Sequence, residues 1–422
     1  MKKFFLLIAM GIISFAQTTL AKEIRITDNS KDQESPAISG NTIVWEDNRH
    51  GNWDIYARTI NPDGTLGEEK QITTDNSDQF NSSISGDKIV WMDYRNGNWD
   101  IYLYDLTNNT ERQITTDNHD QEYPVISGNK IVWQDDRNSN YDIYLYDLKT
   151  NTEKQITTDS SSQYYPVISG DKIVWQDKRH GNSDIYLYDL TNNTEKQITT
   201  DHSDQKAPAI SSDKIVWKDD RNGNWDLYLY DLTNNTEKQI TTDNHDQEFP
   251  VISGNKIVWQ DYRNGNWDLY LYDLTNNTEK QITTDHNDQK APAISSDKIV
   301  WKDDRNGNWD IYLHDPSITP PVIPSYPITI NPTLNGTIVA PVNATGGETI
   351  NLIINPNPGY QLKPDTLKYN DGTDHLISGT SFTMPNAPIT ISAEFELIPV
   401  TPPIPQTVYR FWSESSQSHF YT

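Results

Sequence analysis

The sequence predicts an all-β fold, and three observations carry that expectation. A stretch of 42 residues, QITTDNHDQEYPVISGNKIVWQDDRNSNYDIYLYDLKTNTEK at 113–154, is written seven times over with small changes. The tryptophan of its IVW core recurs at Trp45, Trp91, Trp133, Trp175, Trp217, Trp259 and Trp301. Within each copy, four short runs rich in β-branched and aromatic residues are separated by Asn, Gly and Ser turn signals. The last copy lacks its fourth run, and an orphan segment near the N-terminus matches the missing piece. A period in the low forties with four strands per unit describes a propeller blade. Seven copies make a seven-bladed β-propeller, with a small β domain behind it.

Taken in order, residues 1–21 read as a signal peptide. Lys2 and Lys3 provide the positive start, Phe4 to Phe15 the apolar stretch, and Thr19-Leu20-Ala21 a small-residue cleavage site. The apolar run is too short to span a bilayer, and no other segment approaches a transmembrane helix. The expected protein is exported, to the periplasm or as a secreted or cell-surface chain. Cysteine is absent, so disulfides, thiol chemistry and a lipid-anchoring cysteine are not expected.

The ring is expected over 22–315. In the third copy the strands are drawn as PVIS (124–127), KIVWQD (130–135), DIYLYDL (142–148) and EKQIT (153–157). The two middle runs carry apolar or aromatic groups on both faces, as a sheet sandwiched between neighbours requires. The RNGN and TNNT connections of most copies are good hairpin turns. Copy seven stops at Tyr312-Leu313-His314-Asp315, and Glu23-Ile24-Arg25-Ile26-Thr27 supplies its fourth strand, closing the ring without a long open edge. Segments such as PVISGNKIVWQDYRNGNWDLYLYDL at 250–274 resemble the WD40-like repeats of TolB-like propellers. Propellers of that kind serve as periplasmic interaction modules, surface scaffolds and appendages of peptidases. The α/β domain that precedes the TolB propeller, and the G-x-S-x-G elbow of the peptidases, have no counterpart in this sequence.

Behind the ring, a Pro-rich linker is read at 316–327 and a β module at 328–397. Asn335-Gly336, Pro358-Gly359 and the TMP-x-x-x-ITI-x-A-x-F ending make this module similar to divergent internalin-B-type repeats of bacterial surface proteins. A second Pro-rich linker, 398–406, leads to TVYRFWSESSQSHFYT at 407–422, which resembles the opening of a short aromatic-rich C-terminal repeat.

Charge narrows the partners. With 34 basic against 60 acidic residues, the net charge of −26 repels nucleic acid and anionic membranes. Aromatics at 11% exclude a disordered composition. The inter-blade loops and the central hairpins are expected on one face of the disc, which gathers Asp, His, Arg and aromatic residues. In those hairpins Asp93, Arg95 and Asp100, Asp135, Arg137 and Asp142, and Asp219, Arg221 and Asp226 recur in step. A group needed in every copy is needed by the blade, so these read as hairpin braces held by Asp–backbone and Arg–Asp bonds. An Arg where a calcium loop needs a ligand argues against cation loops. The hairpin-tip aromatics Trp53, Trp99, Tyr141, Trp225, Trp267 and Trp309, broken by Ser183, are the candidate ligand or partner contacts.

Histidines lie in separate blades and are not expected to converge on a metal. Neither a cofactor nor a catalytic residue is assigned, because no unique nucleophile, base or phosphate loop stands out from the repeats. The near-identity of copies suits a scaffold or multivalent binder, not an enzyme. The expectation is therefore a monomeric, exported, non-enzymatic interaction scaffold of the bacterial envelope or surface. It binds an envelope or extracellular protein through the Asp/Arg/Trp face. The alternatives are a polysaccharide-binding surface protein that uses the tip aromatics, and a hydrolase or lyase with its site at the ring centre.

Overall fold

The computed structural model describes residues 23–318 and 324–399; the signal segment, the aromatic C-terminal segment and much of both linkers lie outside them. The chain divides into two compact units, 1–320 and 321–422. The described residues form strands and turns without helix, and seven four-stranded sheets make the first unit.

Each sheet is an antiparallel meander. In blade three, Gln121–Ser127 is the inner strand, followed outward by Lys130–Asp135, Asp142–Asp147 and Thr152–Gln155. The inner strand begins three residues before the PVIS run, because Gln121 and Glu122 pair with Asp135 and Gln134. Between Glu122 and Val125 the register slips through a bulge, so Tyr123 and Pro124 leave the ladder. The same slip recurs at this point in all seven inner strands. Blade one carries four extra residues in its outer hairpin, around Asn61–Thr65, which accounts for its longer repeat.

Packing runs from blade to blade. Trp133 is fully buried and joins a cluster that draws Val90, Ile101 and Leu103 from blade two. All seven IVW tryptophans are buried to the same extent. Burying one such ring removes about 150–250 Å² from water, roughly 4–6 kcal/mol at 25 cal/mol per Å². At the opposite disc face a serine hydroxyl of each blade accepts the backbone N–H at the next blade's inner turn, at 2.9–3.2 Å. Ser295 Oγ accepting from Gly40 N continues this series across the junction of blades seven and one.

The ring closes as the sequence suggests. Glu23–Arg25 pairs with Asp310–His314, placing Glu23 opposite His314. Ile26 is buried in the cluster that joins blades seven and one, with Ile43, Trp45 and Val300. Glu23 also accepts from Arg305 Nη1 at 2.8 Å, the position that a fourth-strand glutamate fills in the other blades.

The second unit builds its own small core from Ile328, Ile338, Ile350, Met384, Ile389 and Ile391. Its main sheet has five strands, with Ser325–Ile330 running parallel to Ile389–Ser392. That first strand starts at Ser325, three residues inside the expected linker, because Tyr326 packs on the core and pairs with Ala344. At the predicted Asn335-Gly336 turn, Asn335 is left-handed, and a Cβ on Gly336 would lie 2.5 Å from the Phe395 ring. Only glycine fits there.

Removing residues 23–27 should unpair the third strand of blade seven and expose Val300. The expected result is a clearly lower melting temperature in calorimetry with loss of a single transition; an unchanged melting curve would show that the strand does not close the ring.

Candidate functional site

Each hairpin brace is built around one buried carboxylate. In blade three, Asp135 ends the buried second strand and is inaccessible to solvent. Its Oδ2 accepts from Trp133 Nε1 at 3.0 Å and from Arg137 Nη2 at 2.6 Å. Its Oδ1 accepts from the Arg137 backbone N at 3.1 Å and from Arg137 Nε at 2.8 Å. Arg137 Nη1 then reaches Glu153 at 2.8 Å, and its guanidinium lies 4.3 Å above the Tyr144 ring. Asp93 with Arg95, Asp219 with Arg221 and the remaining blades repeat this, the Arg–ring distance staying within 4.1–4.4 Å. A bidentate, charge-assisted pair with a ring beneath it is fully used within the blade.

The third member is also spent. Asp142 accepts from Asn138 Nδ2 and Gln155 Nε2, each at 3.0 Å, and from Thr157 Oγ1 at 3.3 Å. Burial pushes its carboxyl above the usual range, against the pull of those donors; Asp100 and Asp226 behave alike. These residues hold the hairpins and present nothing to a ligand.

The tip aromatics are half-buried. Trp99 donates its backbone N–H to Asp120 Oδ1 at 2.9 Å and accepts from Gln121 N at 2.8 Å, clamping the tip to the inter-blade loop. Phe80 lies between Trp53 and Trp99, 5.8 Å from each, and Tyr94 packs at a tilt 4.9 Å from Trp99. Tyr141 packs on Tyr164 and Trp267 on Tyr262, while Lys218 lies over Trp225 and Lys302 over Trp309. Where the aromatic is missing, Ser183 is buried and accepts from Gln176 Nε2 at 3.3 Å. The tips therefore pave the hairpin face with one side turned inward. His119 and His245 bond through Nδ1 to Asp117 and Asp243 of their own loops. Among the described residues no three His, Cys, Asp or Glu side chains converge as metal ligands.

The structure brings together residues that repeat-based reasoning passed over. The bulge turns one inner-strand residue per blade left-handed: Ser35, Asn81, Tyr123, Tyr165, Ala207, Phe249 and Ala291, with φ of 48–53°. With the following proline or serine, these line the central channel, in a cavity of about 410 Å³. A left-handed residue without glycine costs energy. Its occurrence in all seven blades marks a blade requirement, and part of the cost is met by neighbouring side chains. Glu46, Gln134 and Gln260 accept the N–H of Asn81, Tyr165 and Ala291 at 2.6, 3.0 and 3.1 Å.

Around this ring the copies stop being alike. The pairs facing each other across the first two strands are Glu34 with Glu46, Phe80 with Met92, Glu122 with Gln134, Tyr164 with Gln176, Lys206 with Lys218, Glu248 with Gln260, and Lys290 with Lys302. Ion pairs join some of them across blades: Lys218 to Glu248 at 2.7 Å and Lys302 to Glu34 at 2.8 Å. Glu46 is buried, and desolvation raises its pKa to about 7 although the Asn81 N–H opposes the shift. The signal for this site was in the sequence, as differences between copies set in an otherwise constant frame.

Comparison with known proteins adds two findings. Residues 326–399 match the family model of the divergent InlB B-repeat domain. Among solved structures the oligogalacturonate lyase from Vibrio parahaemolyticus is similar, at 13% identity over 71% of this chain and 94% of that one, with a TM-score of 0.55. So is the β-propeller domain of the trilobed protease from Pyrococcus furiosus, at 14% identity over 68% and 95%, TM-score 0.55. That domain has an open velcro topology. TolB from Acinetobacter baumannii is matched at 20% identity over 60% of this chain, TM-score 0.47, and this chain covers 66% of it, just short of two thirds. No curated protein matches the chain. The lyase and protease likenesses fit the all-β ring that the sequence suggested, and at such identities show the fold alone, while the family match fits the bacterial repeat module.

Two outcomes test the site's physics. Because Glu46 holds its proton more tightly when folded than unfolded, its burial weakens the fold as pH rises from about 4.5 to about 7. Glu46→Gln keeps the acceptor for Asn81, as Gln134 does for Tyr165, and removes the charge. The variant should be more stable than the parent at pH 8 by on the order of 3 kcal/mol, at about 1.4 kcal/mol per pKa unit, and equal to it near pH 4. Urea melts at both values check this, and a difference independent of pH would refute the burial argument. Trp225→Ala should cost about 2–3 kcal/mol in the same assay, as a half-buried ring does on truncation.

Proposed function

We propose that the protein is an exported, non-enzymatic interaction module that meets an envelope or extracellular partner through the hairpin face of the ring. One observation carries this reading. In the described part of the propeller, the large hydrophobic side chains that stay exposed are Tyr94, Tyr165, Phe249 and Tyr262, at 42–51%. Two belong to hairpins and two to the channel mouth, so all four open on the same face. Exposed aromatic area gathered on one face marks a contact surface.

The apparatus around it supports a rigid platform. Every hairpin is braced by a saturated Asp–Arg pair, so the face reaches its partner with little ordering cost. Export is supported by the Lys2-Lys3 start with its apolar stretch, and by the bacterial surface-type repeat at 326–399. Among the described residues no helix is long and apolar enough to cross a membrane. The non-enzymatic part rests on how the polar groups of the repeated hairpins are used: each is consumed within its blade, leaving recognition to the variable positions.

The test uses the full-length chain and its Tyr94→Ser/Tyr262→Ser variant, both immobilised and presented with envelope extract and culture supernatant. Each tyrosine is exposed but packs on one tip tryptophan, so the variant should fold with a melting temperature only slightly lowered, and retention is compared between folded proteins. The expected result is one partner retained by the parent and lost, or weakened about tenfold or more, by the variant, as removal of two interface aromatics predicts. Equal retention by both chains would sink the assignment of this face.

A further inference from the structure

A second cavity, of about 480 Å³, opens between blades four, five and six at the channel mouth. Tyr164, Tyr165 and Phe249 supply its rings, and Lys178, Lys206 and Lys218 its charges. No carboxylate lines it, in a chain whose net charge is −26. Lys218 meets Glu248 and Lys206 meets Asp204, at 2.7 and 2.6 Å, from outside the lining. Lys178 makes no direct ion pair among the described residues; it shares with Lys206 the field of the single acid Asp204, and its Nζ stands 5.4 Å from the Tyr164 ring centre. Three ammonium groups against two acids leave the cavity positive. Blade seven repeats the Lys–Lys pair as Lys290 and Lys302, but there Ser35 stands where Phe249 does.

Such a lining selects its guest. The ammonium groups call for an anion, the rings for a flat apolar C–H surface, and Gln176 and the tyrosines for hydroxyl partners. A peptide is disfavoured by the backbone. Pro166, Pro208 and Pro250 remove an N–H from each inner strand at the cavity, and the residue before each is left-handed. An added strand would find no continuous ladder there.

We propose that this cavity binds an acidic saccharide, a uronate-type sugar whose carboxylate meets Lys178 and whose C–H face lies on the Tyr165 and Phe249 rings. The assignment goes beyond the partner reading and shares Tyr165 and Phe249 with its face, but Tyr94 and Tyr262, on which the partner assay turns, lie outside the lining.

The experiment is calorimetric titration of the full-length protein with a galacturonate trisaccharide. The comparison ligands are the same trisaccharide with its carboxyls reduced to alcohols, and triglutamate. Lys178→Gln and Phe249→Ser are titrated alongside; both side chains are free of ion pairs, so the fold should persist, checked by melting temperature. The expected result is binding of the uronate that weakens with added salt, with at least tenfold loss for the reduced sugar and for Lys178→Gln, the size of a lost charge-assisted bond. Absence of uronate binding at millimolar concentration overturns the proposal, as do equal affinity for the reduced sugar, indifference to both substitutions, or preference for triglutamate. None of these results bears on the Tyr94/Tyr262 assay, so the two readings fail separately.

Discussion

Everything in the ring depends on a carboxylate that water never reaches. Asp135 and its six counterparts are buried at the end of the second strand, where an uncompensated charge would be ruinous. Four donors compensate it: the indole of the core tryptophan, the arginine backbone N–H, and two guanidinium nitrogens. The carboxylate thereby ties the hydrophobic core to the hairpin, and the arginine continues the tie to the outer strand through Glu153 and to the Tyr144 ring. A pair of this kind contributes less to net stability than its Coulomb energy suggests, because desolvation offsets most of it. Its role is to fix one geometry. The N-terminal strand enters the same scheme when Glu23 takes the outer-strand place opposite Arg305.

The inner strands answer to a second constraint. Seven sheets packed about one axis crowd their innermost edges, and an unbroken edge strand would offer a row of free backbone groups to any passing chain. The bulge, the left-handed residue and the proline that follows it in six blades break that row. One side chain per blade is thereby turned toward the channel. These positions are free to differ, because the bulge asks only for a backbone conformation, and the neighbouring Glu46, Gln134 or Gln260 holds the exposed N–H.

Much of the fold could be read from the sequence because repetition multiplies weak signals. A single KIVWQD run is ambiguous between a buried strand and other apolar segments, but seven such IVW runs, six of them 42 residues apart and each ending in Asp-x-Arg, are not. Closure was legible because Glu23 to Thr27 matches a piece that copy seven lacks. The start of the inner strand was not, since Gln121 and Glu122 are polar and Pro124 looks like a strand boundary; both residues nevertheless pair across to the second strand. The start of the second unit was obscured in the same way by Pro327, which sits where its strand changes partners. As for the site, reasoning from repeats favours what recurs. It drew attention to Trp99 and Trp225, which are half-buried against Phe80 and Lys218, and away from the bulge position of Tyr165 and Phe249, whose residue type changes from blade to blade. Position alone gives those two their meaning, and only the bulge reveals it.

The division between constant and variable residues follows from how cost is shared. A change at Asp135 or Trp133 strands a buried donor or opens a cavity, so all copies keep the same answer. At the mouth, a change costs little provided the neighbouring blade can pair with it: Lys218 finds Glu248, Lys302 finds Glu34, and Phe80 finds two tryptophans. Compensation runs between adjacent blades, so substitutions spread around the ring as local pairs and never disturb the braces beneath. Lys178 falls outside such a pair, because its own blade offers Tyr164 and the nearby Asp204 is already held by Lys206. Three ammonium groups facing one cavity, with two acids outside the lining and none in it, leave a charge that the fold itself does not consume.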